Sequence, residues 1–174
     1  GLGSGVYKEG IVSATIGTSG VVYAAANKPI PDVKRAAALS FCHSVPGTWC
    51  LFGCTLAAGG SFKWLRDTVF AKERDLMNER GEDVYRLMTD LASQAQIGSE
   101  GLVFLPYLNG ERTPYPDPYA KGVFFGLSYR HGLNEISRSV MEGVTFSLRD
   151  TIELLRDADV SVNEVRASGG GAKS

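Results

Sequence analysis

Residues 102–127 constrain this chain more than any other stretch. Two short apolar runs, 102–105 and 123–127, are joined by a loop with prolines at 106, 114, 116 and 118, and an amphipathic helical pattern follows from about Glu135. Each proline fixes its own φ and pushes the residue before it towards extended backbone, so the loop is expected to hold one shape. Shaped loops at strand ends are where binding sites are built.

The 174 residues suffice to bury one sizeable core, and length alone suggests one domain, 1–174. The 21 glycines exceed an ordinary share of about 7%, and they gather at 1–5, 17–20, 59–60 and 169–171, which predicts tight turns near a ligand. A net charge of −1 gives no electrostatic reason to expect nucleic acid. No apolar run approaches the ~18 residues that span a bilayer, so no membrane partner is expected. Cys42, Cys50 and Cys54 form no CxxC pair, and their odd number argues against a disulfide framework. Cys42-His43 is set aside as a metal site because neighbours on a strand face opposite ways. Buried thiols in a reducing cytosol are the expectation.

Residues 11–16 and 21–25 are β-branched-rich runs around Gly17-Thr18-Ser19-Gly20 and predict a hairpin. Residues 49–54 predict a third strand. Phe62, Leu65 and Val69 mark a helix over 61–70, and Val84, Leu87, Met88, Leu91, Ala92 and Ala95 mark a second one. The polar segment 72–82 between them is read as a solvated connection or fraying helix end. Ile136, Val140, Val144, Leu148, Ile152 and Leu155 predict a long helix with Asn134 as its N-cap. Val160, Val162, Val165 and Ala167 then predict a strand running into Gly169-Gly170-Gly171. Strands followed by interspersed helices make the class mixed α/β. The first residue is not methionine, and the last ones follow directly on a glycine turn. The chain is therefore expected to be truncated at both ends.

Three glycine-rich turns could carry chemistry. Gly17-Thr18-Ser19-Gly20 offers backbone N–H groups and two hydroxyls to phosphate oxygens, although such residues are equally ordinary hairpin chemistry. No Walker lysine pattern is present, which excludes a P-loop NTPase. Gly59-Gly60 opens a helix after a strand; it would either let an anionic ligand approach the helix N-terminus or serve close packing. Gly169-Gly170-Gly171-Ala172 repeats the strand-to-glycine pattern, and a flat adenine ring between two such turns would explain why neither carries a bulky side chain.

The order of these segments resembles the nucleotide-binding domain of the FGGY carbohydrate kinases, in the actin-like ATPase (ribonuclease H-like) superfamily. The resemblance runs the length of the chain and includes Gly122-x-Phe124-x-Gly126-Leu127, followed after seven residues by Glu135-Ile136-x-x-Ser139-Val140-Met141-Glu142. Within the family, Ser40-Phe41-Cys42-His43, the segments 105–114 and 120–127, and Gly169–Ser174 resemble the branch acting on the pentulose D-xylulose. The gluconate and glycerol branches share the outline and usually differ in the first two.

The resemblance implies a mixed sheet with flanking helices, and an ATP- and magnesium-dependent cytoplasmic kinase, as a homodimer. Its sugar would be held mainly by a separate N-terminal domain. It places Gly17, Thr18 and Ser19 at the terminal phosphates, Gly59 and Lys63 at ribose and adenine, and Gly170, Gly171 and Ala172 on the other wall of the adenine slot. No residue of this chain is implied as a metal ligand. Glu111 and Arg112 are read as adjacent opposite charges that hold the proline loop, His43 as a histidine without a partner, and His131 as solvated. The family's catalytic aspartate lies in a Gly-Asp-Asn type turn just upstream of the segment that starts at Gly1. Asp32, Asp67 and Asp117 do not sit in that context, so these residues alone are expected to be inactive. A kinase for ribulose, gluconate or glycerol, a non-catalytic nucleotide-binding module and a purely structural domain are the other readings.

Overall fold

The computed structural model describes residues 1–31 and 38–173; Asp32 and Ser174 lie outside them. Its centre is a five-stranded mixed sheet of order β3-β4-β2-β1-β7. β1 (Gly10–Ile16) and β2 (Gly20–Ala26) form the predicted hairpin, in register from Val12 opposite Ala24 to Ile16 opposite Gly20. β4 (Trp49–Thr55) pairs antiparallel with β2, and β7 (Val162–Ser168) runs parallel to β1 at the other edge. β3 (Leu39–Cys42), which the sequence did not single out as a strand, pairs with β4 and closes the opposite edge.

Helix α4 (Leu133–Asp157) crosses one face of this sheet. Alternation along the strands sends Val12, Val22, Ala24 and Leu51 to that face, where they meet Val144, Leu148 and Leu155 of α4. A second core lies on the far side of α4. There α1 (Gly59–Thr68), α3 (Val84–Gln94) and the ribbon of β5 (Val103–Leu105) and β6 (Val123–Phe125) bury Leu65, Met88, Phe104 and Val140. Each such side chain contributes about 1.5–3 kcal/mol of burial. Gly143 is required where α4 meets the ribbon, because a Cβ there would collide with the Phe104 carbonyl.

Four expectations change. Segment 72–82 contains a helix, α2 (Ala71–Glu79), with no buried residue. It has no apolar stripe to betray it, and it is tied by ion pairs of Arg74 with Asp67 and Asp75. Asn134 is not the N-cap of α4; Gly132 is, and its N–H donates to the Glu135 carboxylate at 2.8 Å. That bond holds the Glu135 carboxyl below the usual range. His43 has partners after all: it is buried, with Nε2 at 2.9 Å from the Val6 carbonyl and Nδ1 accepting from the Val45 N–H at 3.0 Å. His131 is half-buried and accepts from the Ser128 N–H at 2.9 Å.

Candidate functional site

The hairpin turn, the start of α1, the cleft-facing sides of α3 and α4, and a short 3-10 turn at Gly170–Lys173 enclose a cleft of about 930 Å³. Clefts of roughly 300–1,000 Å³ hold small ligands. Gly17, Thr18, Gly59, Lys63, Gly170, Gly171 and Ala172 all line it. Ser19 does not. Its hydroxyl turns away and donates to the Leu56 carbonyl at 3.3 Å.

Each glycine turn has a distinct cause. The N–H groups of Gly59 and Gly60 donate to the carbonyls of Gly17 and Thr18 at 2.8 and 2.9 Å. The first turn of α1 is therefore docked on the hairpin tip, and these two donors are already used. Of the two sequence readings for Gly59-Gly60, close packing applies to the backbone: a Cβ on Gly59 would stand 2.5 Å from the Gly17 oxygen. Gly169 takes φ +89°, where side chains are strained, and a Cβ on Gly171 would run into the Ile16 side chain. Gly170 is different, since a Cβ there meets nothing within 4 Å and would project into open space.

The sequence reading missed the α3 and α4 side of the cleft. Phe62 and Tyr85 stack at 5.9 Å and form an aromatic wall, and Met141, Val144 and Thr145 of α4 form the floor. Asp83, Arg86 and Asp90 from α3 and its N-cap bring charge to the rim; with Lys63 and Lys173 the lining carries three cations and two carboxylates. These helices read as plain amphipathic core elements, and the polar flank of α3 was the available signal. Among the described residues no three His, Cys, Asp or Glu side chains come together as a metal site.

Glu111 lies behind the site. Its carboxylate accepts from the Thr55 hydroxyl at 2.6 Å, the Leu56 N–H at 3.1 Å and the Arg112 N–H at 2.7 Å. The loop is thus held by Glu111 reaching to the end of β4, and not by a side-chain pair with Arg112, which is exposed. The loop adds a bridge of its own, the Glu111 and Asp117 backbones exchanging bonds of 2.8 and 3.0 Å. Burial here pushes the Tyr107 hydroxyl up to about 12, with the Glu111 charge adding to the rise.

The described arrangement matches known proteins closely. The family model described as the FGGY family of carbohydrate kinases, C-terminal domain, matches residues 12–174. A xylulose kinase of Staphylococcus epidermidis is 40% identical over 173 residues, covering 99% of this chain and 33% of that protein. A gluconokinase of Bacillus subtilis is 34% identical over 175 residues, with 99% and 34% covered. The solved structure of ligand-bound xylulose kinase from Lactobacillus acidophilus superposes with a TM-score of 0.84 at 32% identity, over 99% of this chain and 33% of that one. The chain spans about a third of the length of the curated relatives it matches.

Proposed function

The chain belongs to the FGGY family of carbohydrate kinases, and from that premise we propose that it is the ATP-binding side of a kinase that converts D-xylulose to D-xylulose 5-phosphate. The observation that carries this reading is the convergence of seven of the eight expected contact residues on one cleft. On this reading the terminal phosphates lie at Gly17 and Thr18, and the adenosine lies between Gly59 and Lys63 on one side and Gly170, Gly171 and Ala172 on the other. The open space in front of Gly170 supports placing the flat ring there, and Phe62 and Tyr85 line the same cleft with apolar surface.

Magnesium, if bound with ATP, would offset the phosphate charge that the small excess of cations lining the cleft leaves uncompensated. Lys63, Arg86 and Lys173 hold and orient the nucleotide. Phosphoryl transfer depends mainly on such positioning, with a base orienting the sugar hydroxyl. We assign the base to an aspartate outside these residues, and the pentulose mainly to an N-terminal domain; closure of the two would exclude water. Loss of a general base costs about 10²–10⁴ in rate, so these residues alone are expected to transfer no phosphoryl group. A cytoplasmic protein is supported by the three free cysteines, although only Cys50 is buried as expected, Cys42 being exposed and Cys54 half-buried. A homodimer is supported by the exposed apolar side of the ribbon, where Val103, Leu105, Val123 and Phe125 face outward.

The gluconokinase similarity favours gluconate as the second reading. ADP release by the full-length protein with magnesium ATP, compared across D-xylulose, D-ribulose, gluconate and glycerol, decides between them. A rate at least about tenfold higher with D-xylulose is expected, a margin of some 1.4 kcal/mol. Preference for another sugar replaces the substrate, and silence with all four from protein that binds ADP makes this a nucleotide-binding relative without catalysis.

A further inference from the structure

We infer that Glu111 is a positioning residue for the nucleotide's phosphate end, acting through the two peptide units that flank Leu56. The inference rests on the functional reading above and concerns a side chain that does not line the cleft.

Glu111 is only 3% exposed, and it makes no ion pair among the described residues. A buried carboxylate is costly unless hydrogen-bonded. Here the compensation comes from three donors, two of which are the hydroxyl of Thr55, the last residue of β4, and the N–H of Leu56 just past it. Anchoring the proline loop could be done by an apolar contact or by a single bond. A two-pronged grip on the consecutive residues Thr55 and Leu56, at the C-terminal end of β4, fixes position and orientation together.

What that grip orients is the next step. The Leu56 N–H is held by Glu111, and the Leu56 carbonyl accepts from the Ser19 hydroxyl. The Ser19 carbonyl accepts from the Gly17 N–H at 3.0 Å, and the Gly17 and Thr18 carbonyls accept from Gly59 and Gly60. A path of hydrogen bonds, linked through the residues Leu56, Ser19 and Gly17, therefore runs from the proline loop through the hairpin turn to the first turn of α1. Both elements proposed to meet the nucleotide are thus connected to one carboxylate outside the cleft, alongside the β2–β4 pairing and the bond from the Thr113 N–H to the Cys54 carbonyl.

The test compares Glu111→Gln and Glu111→Ala in the full-length protein, by hydrogen exchange and by steady-state kinetics. Glutamine keeps an acceptor for the Leu56 and Arg112 amides and an amide for the Thr55 hydroxyl. It is expected to stay within about twofold of wild type in ATP KM and in exchange over 17–20 and 56–61, because positioning needs the bonds more than the charge. Alanine is expected to speed exchange in both segments and to raise ATP KM about tenfold, with kcat less affected and sugar KM unchanged, as displacement of a binding element does. If alanine opens only 108–118 and leaves 17–20 and 56–61 as protected as in wild type, Glu111 is a loop anchor and the inference fails. It also fails if glutamine loses kcat as severely as alanine, since the charge itself would then be needed. Should alanine not fold, Thr55→Val removes one donor, and faster exchange at 56–61 is again expected; no change would overturn the inference. The exchange comparison holds whether or not the protein turns over ATP, so failure of the kinase reading is told apart from failure here.

Discussion

The N–H of Gly59 donates to the carbonyl of Gly17 at 2.8 Å, which binds the start of α1 to the tip of the β1–β2 hairpin. A methyl group on Gly59 would stand 2.5 Å from that oxygen, and backbone on both sides must move to admit it. Gly59→Ala is expected to cost about 1–3 kcal/mol, as overpacking does, and to weaken nucleotide binding. Thermal unfolding and ADP titration check the two effects. Gly60→Ala, whose added carbon would lie 3.0 Å from the Thr18 carbonyl, is expected to cost less.

Gly170 and Gly171 separate ligand space from packing. Added bulk at Gly170 meets no protein atom, whereas at Gly171 it meets Ile16. Gly170→Ala is therefore expected to leave stability within about 0.5 kcal/mol of wild type while weakening ADP binding. Gly171→Ala is expected to lower both. Equal stability losses for the two would contradict the assignment of Gly170 to the adenine slot.

Acid sensitivity should centre on Glu142. Burial opposes its ionisation, but bonds from the Gly98 N–H, the Arg138 guanidinium and the Ser99 hydroxyl outweigh this and hold its carboxyl below the usual range. With the folded value depressed, the stabilisation is complete above the unfolded value, near 4.3, and is lost as pH falls through the folded one. Glu142→Gln is expected to destabilise by about 1–2 kcal/mol at pH 7, with the gap narrowing at an acid pH below the depressed folded value. Urea unfolding at the two pH values tests this.

How much could be read in advance depended on what each residue contacts. The hairpin, β4, α3, α4 and β7 carry their periodicity locally, and the glycine turns bracket the cleft in sequence order. β3 is four residues long, half of them exposed, and it exists through its pairing with β4. α2 buries nothing and so has no stripe to detect. The direction of Ser19 depends on Leu56, the partner of His43 is Val6, and Glu111 reaches Thr55; each relation spans some 37–56 residues and leaves no local pattern. The α3 and α4 wall stayed hidden because one apolar period serves both core and cleft.

The most direct test of the central claim is photolabelling of the full-length protein with 8-azido-ATP, whose reactive group sits on the purine, followed by mapping of the labelled peptides. The account predicts saturable labelling of peptides containing Phe62 and Lys63 or Gly170–Lys173, abolished by excess ADP. Labelling that falls elsewhere, or that ADP does not block, would contradict the assignment of this cleft to the nucleotide.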